Sequence, residues 1–271
     1  MKNAEIIKSY VSLVNARYTS KGTRSAYITC LHQWMEHIGQ PQRATKCDIR
    51  DYIADLEDSK YNHMLASLHL MYKEVLSHPQ KLSGLRYRQT SPKIWQVLSQ
   101  EEVRDMIAHT SNHKHKMIIT LLYTLGLRLS ELLHLQLRDI NRATMQIQVH
   151  RGKGAKDRLI DIDRQLLYKI EAYWRRYRPT TYIIESTKEG RRYSASSVAA
   201  ILSRHSKRLK KHVTPHLLRH SIASHLINQK INLLELQKFL GHANPQTTQY
   251  YYHYVKSGTI TLAQSQLLNA A

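Results

Sequence analysis

Apolar residues in the first 78 positions recur only at helical spacing. Tyr27, Leu31, Trp34, Met35 and Ile38 form one such stripe, and Gly39 with Pro41 ends it. Thr45 with Asp48 predicts a capped start for a helix whose face is Ile49, Ile53 and Leu56. Met64, Leu65, Leu68, Met71, Tyr72, Val75 and Leu76 make another, stopped at His78-Pro79. The pattern over 1–78 therefore predicts a compact bundle of about four helices.

Residues 79–97 break this rhythm. They carry Gly, Pro and Ser, little periodicity and the cations Lys81, Arg86, Arg88 and Lys93. This reads as an exposed, basic inter-domain linker. Such a linker can lie along a DNA backbone, which makes Arg86, Arg88 and Lys93 candidate phosphate contacts.

A second domain, 98–271, starts at Leu98. Ser99 and Glu102 predict a capping box ahead of a helix holding Val103, Met106 and Ile107. An apolar helix through Ile118, Ile119, Leu121, Leu122 and Leu125 ends at Gly126, and Ser130 is placed to cap a short helix from Glu131 to Leu135. The period then changes to two. Met145, Ile147 and Val149 alternate with Gln146, Gln148 and His150, and a Gly152-Lys153-Gly154 turn leads to a second strand at Arg158 to Ile162. Helices return at 163–177 and 194–211. The fold class is mainly α: a helical domain followed by an α+β domain with a small antiparallel sheet.

Charge changes the picture. Lys and Arg number 41 against 20 acids, a net charge of +21. Such a surface attracts a polyanion, and nucleic acid is the commonest. The run RHSKRLKKH contributes Arg204, Lys207, Arg208, Lys210 and Lys211 as candidate phosphate contacts. Cys30 and Cys47 read as reduced core thiols of a cytosolic protein. The N-terminus has no apolar signal core, and the stretch from Met117 to Leu127 falls well short of the ~20 residues of a membrane span. The expected location is cytoplasmic and nucleoid-associated.

The region from Thr214 to Tyr254 carries the candidate chemistry. Thr214-Pro215 is a good helix start, and His216 and Arg219 share one face near that anion-attracting end. Asn232 and Glu235 open another helix that Gly241 closes, and His242 follows directly. Thr247 and Thr248 can cap a short helix carrying Tyr250, Tyr251, Tyr252 and Tyr254. His216, His220 and His225 invite a zinc reading, but no Cys joins them and no acid lies nearby in sequence.

Together these segments resemble a family. TPHLLRHSIASHLI and LGHANPQTTQYYYHY resemble the C-terminal half of the tyrosine recombinase (phage integrase-like) active site. YTLGLRLSELLHLQLRDI resembles the box holding that family's first arginine, and GKGAKDR resembles its β-hairpin lysine turn. By size and layout the chain looks like a Xer-like or integrase-like member. The resemblance implies a SAM-like core-binding domain and a DNA breaking-rejoining catalytic domain. It assigns Arg128, Lys153, His216, Arg219, His242 and Tyr251 to the catalytic positions, with Glu131 as supporting acid. Tyr251 stands nine residues after His242, the separation the family has. Tyr250 and Tyr252 point roughly 100° away on a helix.

The chemistry suits those residue types. The implied reaction cuts a DNA phosphodiester through a 3′-phosphotyrosine and rejoins it to another strand, without metal, ATP or other cofactor. A phenol with a pKa of about 10 needs its proton removed or its charge offset. Arg128 and Arg219 offer planar forks to the non-bridging oxygens, His216 is the proton partner of Tyr251, Lys153 is the acid for the departing 5′-oxygen, and His242 hydrogen-bonds the phosphate. The expected partners are double-stranded DNA with specific sites, held in a two-domain clamp, and a homotetramer on two sites, with accessory proteins possible. A type IB topoisomerase-like nicking-closing enzyme and a non-catalytic DNA-binding protein are the alternatives.

Overall fold

The computed structural model describes residues 2–89, 96–150 and 157–241. The chain divides into two compact units, Met1–Ile94 and Trp95–Ala271. Among the described residues no helix is long and apolar enough to cross a membrane.

In the first unit, α1 (Asn3–Arg17), α2 (Lys21–Ile38), α3 (Lys46–Ala54) and α4 (Asp58–Leu70) surround one core. Ile6, Tyr10 and Val14 recur every fourth residue and give α1 its buried stripe. The Tyr10 hydroxyl lies 2.6 Å from Ser67 Oγ, which satisfies a polar tip inside that core and joins α1 to α4. The Thr45–Asp48 box forms as expected: Thr45 N–H donates to Asp48 at 2.7 Å, and Asp48 N–H donates to Thr45 Oγ1 at 3.2 Å.

The stretch expected as an exposed linker is held on this unit through Arg88. Residues Pro79–Leu82 form a 3-10 turn, and Leu82 is buried in the core. Arg88 donates to the carbonyls of Leu56 and Ala54, both at 2.8 Å, and lies over the Tyr61 ring. Those carbonyls lie at and just past the end of α3, where helix geometry leaves acceptors without partners and favours a cation. Lys81 similarly donates to Gln42 and Ala44 carbonyls. A composition-based linker reading misses this because capping arginines and solvated arginines look alike in sequence. Cys47 departs from expectation too: it is exposed in the first turn of α3, while Cys30 is half-buried.

The second unit begins with α5 (Gln100–Ala108), α6 (His113–Thr124) and the short α7 (Leu129–His134). A three-stranded antiparallel sheet follows, β1 (Ile140–Asn141), β2 (Gln146–Val149) and β3 (Arg158–Asp161), in that order. Ile147 sits opposite Ile160, and Val149 opposite Arg158. The sequence shows only β2 and β3, since a two-residue strand is too short to reveal a period. Then come α8 (Arg164–Tyr177), α9 (Ala195–Leu209), α10 (Pro215–Asn228) and α11 (Leu233–Leu240).

Helix α6 is buried continuously from Met117 to Tyr123 and packs on α10. Gly126 lets the chain leave α6 with φ of +55°, a region other residues enter only with strain. A Cβ there would lie 3.1 Å from side-chain atoms of Leu240 and of Phe239. This close approach brings the end of α6 against α11. Gly126→Ala is therefore expected to cost about 1–3 kcal/mol from combined strain and overpacking, measured as a shift of the denaturant unfolding midpoint.

Candidate active site

Arg128, Glu131 and Arg219 are brought together by three chain features. Arg128, rather than Ser130, is the N-cap of α7, because the Glu131 carboxylate reaches back to accept the Arg128 main-chain N–H at 2.9 Å. The Arg128 side chain also donates to Glu131 Oε1 at 2.7 Å, so one carboxylate fixes both the main chain and the guanidinium. Arg219 lies in the first turns of α10, which Thr214 caps by accepting from Leu217 N–H at 3.1 Å. It is buried and donates to the Gly126 carbonyl at 2.6 Å and the Leu240 carbonyl at 2.5 Å. Its Nη1 stands 3.7 Å from Glu131 Oε2.

A third guanidinium, absent from the sequence expectation, completes the cluster. Arg158 opens β3 and is buried. It grips Glu131 with two hydrogen bonds of 2.9 and 2.8 Å, while its Nε donates to the Phe239 carbonyl at 2.8 Å. This fork-to-carboxylate geometry is the strongest form of ion pair. The available signal was strand alternation, since Arg158 shares its parity with Ile160 on the inward face.

Burial alone pushes the Glu131 carboxyl up, but hydrogen bonds and charge from Arg158, joined by Arg128, bring it down to about 2. His216 occupies the first turn of α10 with its ring at the surface. Partial desolvation by its neighbours, then the positive charges of Arg219 and Arg128, push this imidazole below its ordinary range. At neutral pH it is a neutral ring able to take a proton. His216 stacks with His220 at a centroid distance of 6.2 Å. His225 turns inward, with Nδ1 2.7 Å from the Tyr123 hydroxyl, and burial drives it down to about 4.

Lys153, His242 and Tyr251 lie outside the described residues, as does Lys93. The basic run divides. Arg208 pairs with Asp105, and Lys211 binds Glu102 at 2.6 and 2.7 Å, which ties this segment to α5. Arg204, Lys207 and Lys210 remain exposed, as does Arg86 on the first unit.

Comparison with known proteins identifies the family and the fold. Residues 96–257 match the model of the phage integrase family. Tyrosine recombinase XerA of Pyrococcus horikoshii is 31% identical over 261 residues, covering 92% of this chain and 89% of that protein. A tyrosine recombinase of Thermosipho africanus is 28% identical over 272 residues, covering 93% and 95%. Among solved structures, XerA recombinase is similar with a TM-score of 0.54 and 25% identity, covering 92% of this chain and 93% of that one. A lambda integrase dimer bound to a core site gives a TM-score of 0.78 over 98% and 99% of the two chains at 16% identity, a likeness of fold alone.

The buried cluster yields a test with a defined sign. Because the Glu131 pKa is depressed from an ordinary 4.5 to about 2, its stabilising effect is complete above the higher value. It fades as pH falls toward the lower one. Glu131→Gln leaves Arg158 and Arg219 buried against a neutral amide and is expected to cost about 3–5 kcal/mol near neutrality. Urea unfolding should show that difference shrinking between about pH 5 and about pH 2. A difference that stays constant across this range would contradict the assigned charge state.

Proposed function

This chain belongs to the phage integrase family, and we propose that it is a site-specific recombinase that cleaves and rejoins DNA through Tyr251. The observation that carries the reading is that Arg128 and Arg219, far apart in sequence, meet at one buried carboxylate, Glu131. Two fixed guanidiniums at one point suit a phosphoryl group whose transition state gathers negative charge on its non-bridging oxygens. The relatives spanning about nine-tenths of the chain carry recombinase names, so a nicking-closing enzyme is not favoured.

The steps follow from the groups. The Tyr251 oxygen attacks phosphorus while its proton passes to neutral His216. Arg128 and Arg219 neutralise the developing charge, and His242 donates a hydrogen bond to the same phosphate. The bond from phosphorus to the 5′-oxygen breaks, and Lys153 gives that oxygen a proton. A 3′-phosphotyrosine and a 5′-hydroxyl result. Attack by a 5′-hydroxyl of another strand reverses each transfer and releases Tyr251. Because the protein's own cations carry the charge, no divalent metal or ATP enters these steps.

Arg86, Arg204, Lys207 and Lys210 are proposed as contacts to phosphates flanking the cut, supported by their exposure. Arg88, Arg208 and Lys211 are engaged within the protein and act mainly by holding their elements in place. A tetramer on two DNA sites is the proposed assembly, resting on the family resemblance, with action in the cytoplasm at the nucleoid.

Nicked duplexes built from DNA flanking the gene should trap a covalent protein–DNA adduct without added metal. Tyr251→Phe should abolish the adduct, and Arg128→Lys should slow its formation by roughly 10²–10³-fold, with DNA binding retained because the charge stays and the fork is lost. An undiminished adduct with Tyr251→Phe, or an absolute need for Mg²⁺, overturns the reading.

A further inference from the structure

We propose that Arg158 is a positioning residue for the cleavage reaction: it occupies both oxygens of Glu131 and so keeps that carboxylate from drawing Arg128 and Arg219 away from the scissile phosphate. The proposal rests on the reading of Arg128 and Arg219 as the groups that neutralise charge on that phosphate. The Arg158 side chain is only 6% exposed, so it acts through the other arginines rather than on DNA.

The carboxylate has room for a limited number of donors. Its two oxygens offer about four lone-pair positions. Among the described residues, Oε1 accepts from Arg128 Nη1 at 2.7 Å and from Arg158 Nη1 at 2.9 Å. Oε2 accepts from the Arg128 main-chain N–H at 2.9 Å and from Arg158 Nη2 at 2.8 Å. These bonds use the capacity of the group, and Arg158 supplies half of them. Arg219 Nη1 stands 3.7 Å from Oε2, outside hydrogen-bond reach, and donates instead to the Gly126 carbonyl at 2.6 Å. Arg219 is thus placed to take a position that Arg158 gives up.

Arg158 can hold both oxygens because its own plane is fixed. Its Nε donates to the Phe239 carbonyl at 2.8 Å, and its main chain is registered opposite Val149 in the sheet. The fork then meets the carboxylate with two parallel bonds, a geometry that a single ammonium does not reproduce. Loss of the fork leaves two positions unfilled on a buried, charged acceptor, which is costly enough to pull in a neighbouring donor. Arg219 needs to move by only about 1 Å to bond, and a displacement of that size at reacting groups can cost ~10²-fold in rate.

The test uses the full-length protein and two nicked duplexes. In the second, a methyl group replaces one non-bridging oxygen of the phosphate at the cut. This removes the negative charge of that phosphate, and with it much of the need for the arginines. Arg158→Lys keeps a cation beside Glu131 but loses the fork. It is expected to slow adduct formation on the phosphodiester by about 10–100-fold and to lose far less on the methylphosphonate, at a temperature where circular dichroism shows the variant folded. Equal losses on the two duplexes, or no loss on either, overturn the proposal. A second arm stands even if Arg158→Lys is too unstable to assay. With Glu131→Gln there is no carboxylate to restrain, so adding Arg158→Gln to Glu131→Gln should cost no further rate on the phosphodiester. A further loss there places the action of Arg158 elsewhere and overturns the proposal. Arg128→Lys on the same duplexes tests the underlying reading. If it loses as much on the methylphosphonate as on the phosphodiester, the charge role of the arginines falls, and the proposal for Arg158 falls with it. That result is distinguishable from failure at Arg158 alone.

Discussion

The second unit is organised around one carboxylate. Glu131 is buried and touches three guanidiniums, from Arg128, Arg158 and Arg219, which enter from three separate chain segments. Burying ions is costly, and an ion pair in the interior rarely improves on well-packed apolar side chains. The arrangement therefore reads best as a device for holding charge in place. One negative charge stabilises three positive ones enough to fold them into the protein, and leaves the cluster with a surplus of positive charge. Under the proposed function, a phosphate at Arg128 supplies the negative charge that the described residues of the cluster do not. Cations held beforehand need little reorganisation as charge builds on the phosphoryl oxygens, which is where electrostatic catalysis draws most of its effect.

The surrounding fold can be understood as what this cluster requires. Arg128 is fixed because it is a helix N-cap whose own main chain binds the carboxylate. Arg219 is fixed because two main-chain carbonyls, of Gly126 and Leu240, set the plane of its guanidinium. Gly126 does two things at once: it turns the chain with positive φ, and its missing side chain lets α11 come near enough for the Leu240 carbonyl to reach Arg219. Arg158 links the hairpin strand β3 to both Glu131 and α11 through the Phe239 carbonyl. Main-chain carbonyls serve well here because they accept from a cation without neutralising it.

Much of this was legible in the sequence, for definable reasons. Helix starts at Thr45, Ser99, Thr214 and Asn232 were readable because capping is local, a matter of residues two or three positions apart. The pairing of Arg128 with Glu131 and the placing of His216 near Arg219 follow from helix periodicity in the same way. What escaped was long-range. Arg158 lies 27 positions from Glu131, so strand alternation can place it on the inward face but cannot reveal the carboxylate it binds. Arg88 was hidden for the same reason, as its acceptors at the end of α3 are more than 30 residues away. The start of α7 was misread because Ser130 is the stronger cap by residue type, while the decisive partner was the glutamate that captures the Arg128 N–H.

The net charge of +21 also needs a finer reading than a total can give. Among the described residues, cations perform separate tasks. Some are structural: Lys81 and Arg88 bind main-chain carbonyls, and Arg208 and Lys211 bind acids on α5. Some belong to the cluster at Glu131. Others, including Arg204, Lys207 and Lys210 along α9 and just past its end, are exposed. Exposed cations of this kind can exchange counterions for DNA phosphates while the internally paired ones cannot, so the salt dependence of binding should reflect fewer charges than the composition suggests. The first group matters all the same, because pinning α9 to α5 through Arg208 and Lys211 fixes the helix on which the exposed cations stand. Charge on this protein is thus partly adhesive and partly scaffold, and the identity of each residue's partner, rather than its type, decides which.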